Sequence, residues 1–323
     1  MSKSVKKWLM TAASLTIVGC IIFGGVMTVL KWDFSRLGAN KYETNRYEIS
    51  EAYEDISITA DTARITFVPS TDGKTTVTAV EHKNAKHSLS VKDGVLTLSI
   101  DDQRKWYEYI VAWQAPKITV AIPEGEYSAL KIQSRTGGVS LVGDFLFESA
   151  DIALSTGDVD FAASCTGDVK ITTSTGDIEI ENSSVGSLAL SVTTGDIEAS
   201  GVTCAGALSV SVSTGDAELE NVRAKSFSSS GNTGDLSLDG VIIAETLSVK
   251  RSAGNVRFEG SDAGEIFVET DTGSVKGTLL SEKVFFVRTD TGKIDVPETQ
   301  SGGICKITTD TGNIILSIGQ KND

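Results

Sequence analysis

The stretch Ser174-Thr175-Gly176-Asp177-Ile178-Glu179-Ile180 decides the fold, because its Thr-Gly-Asp turn followed by apolar/polar alternation recurs down the second half of the chain. Taking the glycine as a marker, Gly137, Gly157, Gly176, Gly195, Gly215, Gly234, Gly254, Gly273, Gly292 and Gly312 follow one another at intervals of 19 or 20 residues. A repeat of that period is the signature of a solenoid. A strand that buries one face places apolar residues two apart. Seven and five residues before the marker stand pairs such as Ile266/Val268 and Leu188/Leu190, with Ser229 the one polar member of those columns; two and four after it stand pairs such as Ile178/Ile180 and Leu236/Leu238.

Between these columns Ser, Thr, Asp, Glu and Lys predominate, so each strand has a dry face and a wet one. A second glycine column at Gly167, Gly186, Gly206, Gly264 and Gly302/Gly303 marks another bend in each coil. Parallel strands of successive coils lie about 4.8 Å apart. Ten rungs therefore predict a rod about 45 Å long, in which stacking buries what one rung alone leaves exposed.

The chain has 323 residues and a net charge of −14. Five cations (Lys3, Lys6, Lys7, Lys31, Arg36) against Asp33 lie in residues 1–40, which leaves 24 basic and 42 acidic residues, a net −18, on the remainder. Such a body repels nucleic acid and anionic lipid surfaces. Leu9 to Leu30 is 22 residues without a charge, bracketed by Trp8 and Trp32. That is about 33 Å of helix, enough to cross a bilayer, and Lys3, Lys6 and Lys7 place the N-terminus in the cytoplasm. Two rival readings are a cleaved signal peptide and a lipoprotein signal ending at Ile17-Val18-Gly19-Cys20. The apolar run continues through Ile21-Ile22-Phe23 instead of giving way to a soluble tether, which favours an uncleaved single-pass anchor with the C-terminal domain outside the cytoplasmic membrane.

The expected organisation is a cytoplasmic tail (1–7), a transmembrane anchor (8–32), a polar spacer (33–45), a β-rich cap (46–127) and the β-solenoid (128–323). Within the cap, Ile56/Ile58, Asp61-Thr62-Ala63 and Ile65/Phe67 repeat the solenoid register with Ala63 in place of the marker glycine, as a degenerate first rung. All four Trp and all six Tyr occur at or before Tyr127. Trp106, Tyr107, Tyr109 and Trp113 cluster in the cap, either as an aromatic platform for a glycan or peptide or as a plug over the open solenoid end.

Cys165 and Cys204 share a column but sit two coils apart, about 9.6 Å, beyond the Cα separation of about 7 Å that a disulfide spans. His82 and His87 lack the Cys/His partners of a zinc site, and no metal or cofactor is expected. Asp158, Asp177, Asp196, Asp216 and Asp235 would stack one coil apart, either as turn-capping groups or as a metal-binding ladder. The glycine-rich nonapeptide of a calcium roll is absent, which favours capping. The threonine column beside the glycines lies at a turn, unlike the flat paired ladders of ice-binding solenoids. No nucleophile elbow, phosphate loop or zinc helix is present. Cations on the rod (Arg223, Lys225, Lys250, Arg251) are scattered, so a polysaccharide-cleaving β-helix enzyme is the alternative to a non-enzymatic surface-binding or scaffold protein.

The basic start and single span, Lys31-Trp32-Asp33-Phe34, the Ile56 to Pro69 rung and the repeated Ser/Thr-Thr-Gly-Asp turns resemble a bacterial family of membrane-anchored surface proteins, a domain of unknown function that carries the label "putative adhesin". The resemblance covers essentially the whole chain. It implies an all-β, right-handed parallel β-helix in an extracytoplasmic position, with no known catalytic residues. Ala253-Gly254-Asn255 departs from the pattern, as a packing repeat tolerates. A cell-wall glycan or surface protein is the partner such a protein would meet.

Overall fold

The computed structural model describes residues 3–29, 31–32, 42–103 and 116–319. Helix α1 (Lys3–Val29) contains a stretch, Lys6–Val29, long and apolar enough to cross a membrane. The rest of the described chain is β-structure joined into one continuous sheet system. The all-β solenoid expected from the repeat is the fold. The Cys165, Cys204 and Cys305 thiols are free and buried, and burial pushes them up to about 12, 11 and 12.

The coils stack in the register that the columns predict. Ile178 pairs with Val159 on one side and Ile197 on the other, and Leu190 pairs with Ile171 and Val210. These inward residues are at most 2% exposed, while Glu179 and Glu198 between them point to solvent. At the marker glycines the backbones of successive coils approach closely. Gly215 has φ +134°, and a Cβ there would sit 2.1 Å from the carbonyl oxygen of Gly195, so only glycine fits both the backbone and the space.

The order of coils along the rod differs from the order in the chain at both ends. Strands β2 (Asp55–Thr62) and β3 (Arg64–Pro69) form the Ala63 rung, and they pair in the expected register with β8 (Glu126–Thr136) and β9 (Val139–Thr156): Ile58↔Ile132, Ile65↔Val139. This rung is first in sequence but second in the stack. On its other side lie β6 (Val95–Asp102) and β7 (Lys117–Ile122), parallel to β2 and β3 respectively. Strand β4 (Thr75–His82) adds antiparallel to β7, β1 (Tyr42–Ile49) adds antiparallel to β4, and β5 (Ala85–Lys92) adds antiparallel to β6. The chain thus closes its N-terminal end with reversed strands, which cannot themselves continue a parallel coil.

Strands β10 to β21, within residues 159–239, repeat the coil regularly, followed by β22 (Ile242–Ala253), β23 (Val256–Thr272) and β24 (Val275–Leu279). Then β25 (Lys283–Thr291) and β26 (Ile294–Asp295) step over one position. The last strands, β27 (Gly303–Thr311) and β28 (Ile314–Ile318), insert between that coil and the one before it. The coil at the C-terminal end of the stack is therefore the penultimate one in sequence.

One core position corrects the sequence reading. Arg251 is not a surface cation: it is 1% exposed and lies in an inward column between Gly231 and Thr270. Its Nη1 donates to the Gly234 carbonyl (3.1 Å) and its Nη2 to Ser229 Oγ (3.4 Å), while its Nε has no partner among the described residues. Burial lowers its pKa, opposed by Asp216 and Asp235. The one polar residue in the apolar columns, Ser229, is thus the acceptor that accompanies a buried guanidinium. In other coils of this column a threonine does the same job: Thr173, Thr289 and Thr309 hydroxyls donate to the marker-glycine carbonyls Gly157, Gly312 and Gly273 at 2.9–3.1 Å.

Candidate binding surfaces

The aspartate ladder along the turn edge resolves into a chain of hydrogen bonds. The backbone N–H of Asp177 donates to Asp158 Oδ1 (3.1 Å), that of Asp196 to Asp177 Oδ1 (2.8 Å), that of Asp216 to Asp196 Oδ1 (2.7 Å) and that of Asp235 to Asp216 Oδ1 (2.7 Å). Where Asp gives way to other residues the relay continues: Asn255 N–H to Asp235, Ser274 N–H to Asn255 Oδ1, Asn313 N–H to Ser274 Oγ and Lys293 N–H to Asn313 Oδ1. Each carboxylate secures the turn of the next coil, a charge-assisted bond to an amide otherwise left open at the bend. Capping is what these residues do, with the acceptor one coil away rather than in the same turn. Among the described residues no group of three His, Cys, Asp or Glu is placed to hold a metal ion.

At the N-terminal end, Glu81 and His87 form a buried pair, His87 Nδ1 to Glu81 Oε2 at 2.6 Å, with the His87 N–H on the same oxygen. Tyr47 and Asn45 donate to Glu81 Oε1 (3.0 and 2.5 Å). Burial pushes the Glu81 carboxyl up, but the bonds from Asn45, the His87 backbone and ring, and Tyr47 outweigh it and hold the group below the usual carboxylate range. The network closes the polar end of an inward face that begins with Val77 and Ala79.

On the sheet that follows the turn, a groove of about 820 Å³ runs over Arg257, Lys276 and Gly277. One outward column reads Asp160, Glu179, Glu198, Glu218, Ser237, Arg257, Lys276, so its charge changes sign along the rod. In the acidic half, desolvation and the carboxylates of Glu181, Asp160 and Glu198 push Glu179 up. Arg257 is neutralised by an ion pair with Glu259. Arg257 and Lys276 escaped the sequence reading, although the +3 offset from Gly254 and Gly273 would have placed both on the wet face.

The opposite sheet carries a second departure from the repeat. Phe267, Lys306 and Phe286 stand side by side on β23, β27 and β25, all on the outward face. Phe286 is 58% exposed. A depression of about 310 Å³ beside them is lined by Lys250, Phe267, Glu269, Asp271, Lys306 and Asp310. Lys250 is bound to Glu269 across the strands at 3.2 Å, while Lys306 lies between two aromatic rings' positions. Insertion of β27 creates this arrangement; stacking in chain order would set the two phenylalanines next to each other and leave Lys306 at the end. Trp106, Tyr107, Tyr109 and Trp113, expected either as a ligand platform or as a plug over the open solenoid end, lie outside the described residues.

Solved structures similar to this chain include a "putative adhesin" from Bacteroides fragilis NCTC 9343 (18% identity, 87% of this chain and 99% of that one, TM-score 0.42), a "putative adhesin" from Parabacteroides distasonis ATCC 8503 (13%, 86% and 98%, 0.47) and a "putative lipid binding protein" from the same organism (17%, 74% and 95%, 0.46). No curated protein matches it. The Toastrack DUF4097 family model matches residues 53–207 and 203–323, nearly the whole of the β-structure just described. On that match, over more than half of its length, the chain belongs to the Toastrack DUF4097 family.

Proposed function

We propose that this chain is a membrane-anchored, extracytoplasmic β-solenoid that acts as a non-enzymatic surface-binding protein of the adhesin-like or envelope-scaffold kind. The observation that carries the reading is the contrast between a repeat whose turn acids are spent on coil-to-coil bonds and a C-terminal end where Phe267, Lys306 and Phe286 break the repeat on an open face. Aromatic rings offer rigid apolar area and the Lys306 ammonium a hydrogen-bond donor, a combination suited to stacking and orienting a sugar ring of a wall glycan. The Trp106 to Trp113 stretch stands as a second contact on composition alone.

The test is a glycan array and a wall pull-down with the full chain in detergent micelles. Phe286→Ala with Lys306→Ala should lower retention about tenfold or more, with the melting temperature unchanged, since both side chains are exposed. Trp106→Ala with Trp113→Ala tests the other contact in the same assay. Calcium-dependent release of unsaturated sugars from a uronate polymer would replace this reading by the lyase one.

The orientation has its own test. Protease added to intact, wall-stripped cells should remove everything beyond about Trp32. Full protection of the β-domain would reverse the topology.

A further inference from the structure

The two ends of the rod are finished differently. At the N-terminal end β4, β1 and β5 cover the outer strands in antiparallel pairing. At the C-terminal end β25 and β26 pair on one side only among the described residues, with β27 and β28. The inward columns there are correspondingly uncovered: Phe285 and Val287 are half-buried and Ile294 is 42% exposed, whereas Ile266, Ile307 and Ile314 in the coils beneath are fully buried. An unpaired edge over an open apolar core is a template for strand addition.

What protects this edge is charge alone: Lys283, buried against Asp262 at its start (2.6 Å), and exposed Arg288 and Asp290 near its end. The strand β25 is nine residues long, contains no proline, and meets β27 without a register shift. Because the chain returns from β26 to insert β27 and β28 beneath, the edge strand is tethered at both ends and is not a terminus free to fray. Its charges also have a particular order. Arg288 and Asp290 flank inward Thr289 and touch at 2.9 Å; Lys293 and Asp295 flank inward Ile294 and touch at 2.7 Å. In an antiparallel pair the partner numbers sum to a constant. An axis at Thr289 therefore sets Arg288 opposite Asp290 of a second copy, twice. Thr289 and Ile294 are the inward residues on either side of the Gly292 turn, so one two-fold axis across the core also sets Lys293 opposite Asp295. A register centred one residue earlier would set Arg288 against itself, which like-charge repulsion disfavours.

We propose that the β25 edge is the interface of an end-to-end homodimer, in which β25 pairs antiparallel with β25 of a second copy about a two-fold axis through Thr289 and the two apolar cores become continuous. The contact is isologous, as two-fold symmetry requires, and uses the same reversed-strand addition with which the chain closes its own N-terminal end. On the reading that α1 anchors the β1 end, the anchors lie at the outer ends of the joined rods and the pairing links two membranes.

The full chain in nonionic detergent, followed by analytical ultracentrifugation over a wide concentration range, tests this directly. The wild type should show a concentration-dependent dimer of protein mass. Arg288→Asp alone and Asp290→Arg alone each set like charges opposite one another at two symmetric places, and each should weaken the dimer by about a hundredfold. The double variant R288D/D290R restores complementarity and should dimerise again. All four chains should share one circular dichroism spectrum, because the exchanged side chains are exposed. A wild type that stays monomeric overturns the proposal. So does a dimer indifferent to the single reversals, as association through the helix would be, or a double variant as weak as the single ones. None of these outcomes depends on glycan binding, so this inference and the functional proposal fail separately.

Discussion

Ile178→Asp is expected to yield no folded, soluble β-domain, and Glu179→Lys to express and melt like the wild type. The two residues are adjacent, yet Ile178 is fully buried between Val159 and Ile197, while Glu179 is exposed in an acidic column. A carboxylate at position 178 would have no cation or donor across the core, a cost on the order of 5 kcal/mol. That is comparable with the whole stability of a small domain. Because each coil is held only by its neighbours, the loss interrupts the stack in the middle and does not fray an end. Position 179 carries the opposite expectation. Its carboxyl is pushed up by slight desolvation and by Glu181, Asp160 and Glu198, so a lysine there relieves crowding. Soluble expression followed by circular dichroism melts decides the matter, and equal tolerance of both changes would overturn the register.

The second large effect belongs to Arg251. Arg251→Ala should lower stability by roughly 4 kcal/mol, because it leaves a cavity and strands the Gly234 carbonyl and the Ser229 hydroxyl in the core. The double change Arg251→Met with Ser229→Val should recover most of that loss. It fills the space with apolar volume and removes the hydroxyl that needs a partner, and buried ionic groups replaced in this way cost little. Arg251→Lys should not substitute, since a single ammonium cannot reach both acceptors as the guanidinium fork does. Urea unfolding of the four chains measures this. An Arg251→Ala variant as stable as the wild type would show that the guanidinium contributes nothing net to the core.

The sequence by itself determined the coil. A 19–20-residue period with apolar residues at fixed offsets from Gly176 and its equivalents fixes which side chains point inward, because strand side chains alternate and any one-residue slip would drown the core face. The marker glycine was legible for the same reason: backbone at φ near +130° beside a carbonyl of the preceding coil, as at Gly176, Gly195 and Gly215, admits no side chain. The Ala63 rung was legible too, from its columns alone.

What the tertiary structure decided is the sequence of coils in space and everything that depends on it. Consecutive repeats are nearly interchangeable as partners, so local pattern cannot distinguish β27 beside β23 from β27 at the end of the rod. Burial of Cys305, Ile307 and Ile314 between two coils settles that choice, and with it the placing of Lys306 between Phe267 and Phe286 and the exposure of β25. Arg251 was misread because its column is filled elsewhere by small or apolar residues, such as Thr173, Val192, Val212 and Gly231. Only the space above Gly231, where a Cβ would lie 2.6 Å from Arg251 Nη1, shows that a guanidinium fits inside. The aspartate relay was half legible: the residue type announced a cap, but its donor is the amide of a turn 19 or 20 residues away, a partner that exists only once the coils have stacked.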